Sequence, residues 1–96
     1  MNYSFEAPIK DPQAILRHSM NWADWLQQGE SIQGLPAVVS SVPAELVVDQ
    51  IAQADGLVSW RVTGGTADAN YIVTARINTN QGRTDERSVL YRVRER

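Results

Sequence analysis

The chain has 96 residues, 43% of them hydrophobic and 21% charged, which is enough for one domain with its own core and too little for two. Nine basic residues against eleven acidic ones leave a net charge of −2, which supplies no electrostatic motive for binding nucleic acid or a membrane surface. Without cysteine there is neither a disulfide framework nor a thiolate metal site, so packing alone must hold the layers of any fold together.

The opening Met1-Asn2-Tyr3-Ser4-Phe5-Glu6 has neither the basic start nor the apolar run of a signal peptide. Asn2-Tyr3-Ser4 is formally a glycosylation acceptor, but it means nothing without a secretory route. No stretch approaches the ~18 apolar residues needed to span a bilayer. The expectation is a soluble protein made in a reducing cytoplasm, with no membrane partner.

Asp11-Pro12 can start one helical turn, with the aspartate as cap and the proline at the first helical position. From there Leu16, His18, Met20 and Trp22 recur at every second residue, which predicts a strand over residues 16–22. Gln28-Gly29 marks a turn, and Ile32 is expected to open the next strand. Residues 37–40 and 46–48 are short β-branched runs separated by Val42-Pro43-Ala44-Glu45, where the proline suits a bend or an edge. Ile51 continues the second run, and Ala54-Asp55-Gly56 turns it into the next.

The clearest pattern lies beyond this point. Over residues 57–63, Val58, Trp60 and Val62 occupy one face and Ser59 and Arg61 the other, the period of a half-buried strand. Residues 64–70 break the pattern with turn-forming side chains, and alternation resumes with Tyr71, Val73, Ala75 and Ile77 inward. Asn80-Gln81-Gly82-Arg83 is a hairpin signal. In a last strand Val89, Tyr91 and Val93 oppose Leu90, Arg92 and Arg94. Roughly seven short strands at this spacing predict an all-β, immunoglobulin-like or fibronectin-like β-sandwich of antiparallel strands, one domain over residues 1–96. A tyrosine such as Tyr71, starting a strand just after Gly64-Gly65, is placed to hydrogen-bond back across a sandwich corner.

Nothing in the sequence converges on catalysis. His18 is the only histidine and shares its strand face with Leu16 and Met20, so a packed or rim position is expected. Asp85 and Glu86 are adjacent, but neighbours in a strand point to opposite faces and cannot converge on one substrate. Gly64-Gly65 is a β-turn signal with no helix behind it to form a phosphate loop. No cofactor is expected.

The aromatic and basic residues suggest contact surfaces. Trp60 alternates with Val58 and Val62 and belongs to the core, and Trp22 reads similarly. Trp25 lies where the strand pattern has failed, so it is the candidate exposed or interface aromatic. Six of the eight arginines fall between Arg76 and Arg96, giving that segment a balance of +3 where the rest of the chain stands at −5. Arg92, Arg94 and Arg96 would line one face of the last strand. That stripe is either a solvated face protecting an edge or a basic surface for an acidic partner, where the arginine fork is effective. The candidate partner-binding residues are therefore Trp25, Arg92, Arg94 and Arg96. No exposed aromatics interleave with the arginines as a nucleic-acid surface requires.

Taken in order, these segments resemble one family. Ile9-Lys10-Asp11-Pro12, Asn21-Trp22-Ala23-Asp24-Trp25-Leu26 and Gly29-Glu30-Ser31-Ile32 are similar to the Lys-Asp-Pro, Asp-Trp-Ser-Asp-Trp-Leu and Gly-Asp-Thr-Ile blocks of small phage proteins. Val42-Pro43-Ala44-Glu45-Leu46, Gly64-Gly65-Thr66-Ala67, Tyr71-Ile72-Val73-Thr74, Gly82-Arg83-Thr84-Asp85-Glu86-Arg87 and Val93-Arg94 continue the match. The ordered set resembles the phage fiber-tail adaptor family. Asn21 stands where that family tends to have aspartate, Glu30-Ser31 where it has Asp-Thr, and Glu45 where it has glycine, which bears on the turn there.

The resemblance implies a structural protein of the tail region of a phage or prophage virion, immunoglobulin-like in fold, that connects other tail components. It implies no cofactor and no catalytic residue, other tail and virion proteins as partners, and the virion tail as its place. Whether further copies of the chain join in the assembly is left open. A carbohydrate-binding module with the tryptophans as platform is the alternative from another class.

Overall fold

In the computed structural model, which describes residues 5–42 and 44–95, the chain folds into seven strands. They are β1 (Phe5–Glu6), β2 (Leu16–Asn21), β3 (Ala37–Ser40), β4 (Leu46–Ala54), β5 (Leu57–Gly64), β6 (Asn70–Asn78) and β7 (Thr84–Arg92). A four-stranded sheet in the order β1-β7-β6-β3 packs against a three-stranded sheet in the order β2-β5-β4. No helix occurs among the described residues, so none is long and apolar enough to cross a membrane.

The period-two segments form the core, as their pattern requires. Val58, Trp60 and Val62 of β5 have no exposed surface and cluster with Val73, Ala75 and Ile77 of β6 and Val89 and Tyr91 of β7. The Trp60 indole N–H donates to the Tyr91 hydroxyl at 3.2 Å, so the one polar atom of the ring is not stranded in the core. Desolvation of that hydroxyl pushes its pKa up to about 12, and the bond from Trp60 offsets this only in part. His18 lies at the rim, its ring 5.1 Å from Trp60 and 6.2 Å from Tyr91, and burial lowers its pKa.

Asp11-Pro12 makes a single turn and no more. The Ala14 N–H donates to the Asp11 carbonyl at 2.9 Å and the Gln13 N–H to its side chain at 2.8 Å before β2 begins. The irregular middle has an equally local cause. The register of β4 on β5 shifts between Asp49 and Ala52, and Gln50 at the bulge has φ of 51°.

Two expectations are corrected. Ile32 opens no strand: it forms an isolated bridge with Thr79, and Gly34 at φ 72° and Pro36 intervene before β3 begins at Ala37. The first strand is instead β1, whose two residues are too few to show a period. The sandwich is also not antiparallel throughout, because β1 runs parallel to β7, Phe5 against Val89 and Glu6 against Leu90. Hairpin neighbours must be antiparallel, but these two strands share no turn and nothing local sets their direction.

Lys10 continues that edge through a parallel bridge to Val93. It is fully buried, and its ammonium donates to the Gly64 carbonyl at 2.7 Å and the Asp11 carbonyl at 2.9 Å. Burial lowers its pKa while the Asp11 charge raises it. Gly64 opens the corner between β5 and β6. The Tyr71 hydroxyl accepts from the Thr66 N–H at 2.8 Å, five residues upstream, and donates to Glu45 at 2.6 Å. Gly64 has φ of +83°, and a Cβ there would stand 2.9 Å from the Glu45 carbonyl oxygen, so only glycine fits without a shift. The glutamate at position 45 is thus part of the corner, as acceptor for the tyrosine.

Candidate functional site

The segment between β2 and β3 holds most of the interaction chemistry. It begins as a turn: the Asn21 side chain accepts from the Ala23 N–H at 2.8 Å, and the N–H groups of Trp25 and Leu26 donate to the Trp22 carbonyl. Asn21 here does what aspartate does as a cap. The turn buries Trp22 completely, aims its indole N–H at Asp85 (2.8 Å), and leaves Arg87 over its face at 4.5 Å. Asp85 and Glu86 point apart, Asp85 toward Trp22 and Glu86 to Arg76 across the sheet.

Glu30 ties this segment to the β6–β7 hairpin. Its side chain has no exposed surface and accepts four kinds of donor: Arg83 through Nε (2.9 Å) and Nη2, the Thr79 hydroxyl (2.6 Å), and the Gln27 N–H (2.8 Å). These bonds, that from Arg83 foremost, outweigh desolvation and hold the Glu30 pKa down at about 2. Arg83 also donates to the Trp25 carbonyl and lies 3.9 Å over the Trp25 ring.

Trp25 is therefore half-buried, one face against the core cluster and the other under Arg83. Trp22 and Trp60 have no exposed surface, so a three-tryptophan sugar platform does not form. Arg92 and Arg94 alternate with inward residues, as expected, but both are engaged within the molecule. Arg92 pairs with Glu6 at 3.0 Å, while its Nε is buried with no partner among the described residues. Arg94 donates to the carbonyls of Val93 and Ala69 and to the Asn70 side chain. Arg96 lies outside the described residues. The three described candidates do not come together in one site: Trp25 sits by the β6–β7 hairpin, whereas Arg92 ends β7 at its far end and Arg94 follows it.

The sequence pattern missed Lys10, Glu30 and Arg83 as structural ties. Glu30 and Arg83 stand in blocks that carry the family resemblance, but nothing local joins two residues 53 positions apart. Three smaller polar pairs hold strands to one another. Arg61 of β5 grips Asp49 of β4 with two bonds of 2.8 Å, which lowers the Asp49 pKa and raises that of Arg61. Arg76 pairs with Glu86 across β6 and β7, and Thr74 meets Ser88 in the same ladder. Among the described residues no group of three histidine or acidic side chains is placed to hold a metal ion.

A β-sandwich whose charged and aromatic residues chiefly bind its own loops and strands together is a structural module. The chain belongs to the family of the podophage GP4 fiber-tail adaptor protein gp77, whose model matches residues 10–92. No curated protein matches it. Membership assigns it a structural adaptor role in the phage tail, and the matched span runs from Lys10 to the last residue of β7.

Proposed function

We propose that the chain is a non-enzymatic adaptor that joins fiber and tail components of a phage or prophage virion by protein–protein contact. Family membership over residues 10–92 carries this reading. Its partners are other tail proteins, with further copies of the chain where the assembly repeats it, and neither nucleic acid nor a membrane takes part. The whole chain acts as one module in the virion tail. The Tyr71 corner supports an immunoglobulin-like class for the sandwich.

The contact residues in this reading are the exposed part of Trp25 with Arg83, and the Arg92 end of β7. Arg92 is only half-covered by its pairing with Glu6, so an acidic partner could take over one of its donors. Arg94 belongs to the same proposed surface, and Arg96, outside the described residues, is proposed as a contact residue from the sequence alone.

The test is a phage carrying a stop codon early in this gene. Particles with tails but without fibers, restored by adding the purified chain, are expected. Normally fibered particles that contain none of the chain would overturn the proposal.

A further inference from the structure

Residues 31–44 are the longest stretch of the chain without a charged side chain, fourteen residues between Glu30 and Glu45. They include β3, an edge strand of the four-stranded sheet. The Ser41 N–H donates to the Ile72 carbonyl at 2.8 Å. Antiparallel alternation in the β3–β6 register then turns the main-chain groups of Ala37 and Val39 toward β6, and those of Val38 and Ser40 outward. Among the described residues no strand pairs with β3 on that outward side.

Each of the other three edges is very short or carries a charge or a bulge, features that discourage strand addition. β1 has two residues, and Glu6 within it is paired with Arg92. β2 presents Arg17, which reaches Gln50 on β4. β4 carries Asp49 and the bulge that follows it. β3 has neither charge nor bulge. Beside it a groove of about 230 Å³ runs between the two sheets, lined by Val38, Val39, Ser40, Leu46, Val47 and Val48. Its surroundings are apolar, with Val39 at 59%, Val47 at 45% and Val42 at 41% exposure.

We propose that this seam receives an uncharged, extended segment of another tail polypeptide as a fifth strand beside β3. Val38 and Ser40 supply the main-chain bonds. Inward side chains of the added strand enter the groove against Leu46 and Val48, and outward ones flank Val39. A charged side chain at an inward position would be desolvated with no counter-charge in residues 31–44, so the seam selects against charged segments. The identity of the partner rests on the adaptor reading above, while the location of the seam rests on the edge itself.

The experiment uses particles assembled without this chain, to which the purified wild-type chain or Val39→Lys is added. Val39 is exposed on the outer face, so the variant is expected to keep the wild-type melting temperature. It should bind the particles at least ~tenfold more weakly, whereas Leu57→Lys, at an exposed apolar position elsewhere, should bind as wild type. In the bound wild type, the Val38 and Ser40 amides should exchange with solvent much more slowly than in the free chain. Wild type and Val39→Lys binding equally, with those two amides unprotected, sinks the seam and leaves the adaptor reading standing. Failure of the wild type to bind sinks both. A dimer of the free chain that Val39→Lys dissociates would show that a second copy fills the seam, and would overturn the proposed occupant.

Discussion

Glu30 and Arg83, 53 residues apart, form a two-pronged ion pair whose carboxylate has no exposed surface. The pair closes the long β2–β3 connection onto the β6–β7 hairpin, and through the Trp25 carbonyl it fixes the turn that buries Trp22. A buried charge needs its partner, so loss of one member strands the other.

This gives a pH signature. The Glu30 pKa is about 2 in the fold against an ordinary 4.5, so the unfolded chain binds a proton more readily. Its contribution is complete above about pH 4.5 and is lost as pH falls toward 2. Melting curves of wild type and Glu30→Gln should differ clearly at pH 7 and converge near pH 2. A constant difference across that range would refute the assignment.

The rim histidine acts in a higher window. Burial depresses the His18 pKa below 6.5, so the neutral ring is favoured in the fold. The sign follows: the contribution is present above pH 6.5 and is lost as pH falls through the lower folded value. An NMR titration of His18 should find a midpoint below 6.5, and His18→Phe should flatten the fall in melting temperature between pH 7 and 5.

Tyr71→Phe keeps the ring packing and removes the hydroxyl that bonds Thr66 and Glu45. We predict a loss of about 1 kcal/mol, seen as a drop of roughly 4–8 °C in melting temperature. An unchanged melting temperature would mean the corner bonds contribute nothing.

Two glycines with similar backbone angles should respond differently to alanine. Gly82 has φ of +79° and open space around a new Cβ, so the cost is the left-handed conformation alone, about 1 kcal/mol. Gly64 has the same handedness, and its Cβ would also press on the Glu45 carbonyl, so roughly 2–3 kcal/mol is expected. Chemical denaturation of both variants tests the order, and equal costs would remove the close approach from the account.

Much of the sandwich could be read from local pattern. Burial on one face of a strand imposes period two, which is why residues 57–63 and 71–77 closely match the observed β5 and β6. Trp60 reads as core for the same reason, and Tyr71 as a corner residue because glycines precede it. The pattern fails where too few residues exist to show a period, as in β1, and where a bridge imitates a strand, as at Ile32. Trp25 reads as an exposed or interface aromatic because its cover, Arg83, is 58 residues away.

By itself the sequence determined the class of protein: an all-β chain, without cysteine, whose ordered blocks from Lys10 onward mark a phage adaptor. Those features are local or cumulative along the chain, so they survive without coordinates. Only the tertiary structure decided which polar groups are already used. It put Lys10 inside the corner, paired Glu30 with Arg83, engaged Arg92 and Arg94 with their own neighbours, and left the uncharged β3 edge open. Such facts depend on which distant residues become adjacent when two sheets pack, and strand periodicity carries no information about that.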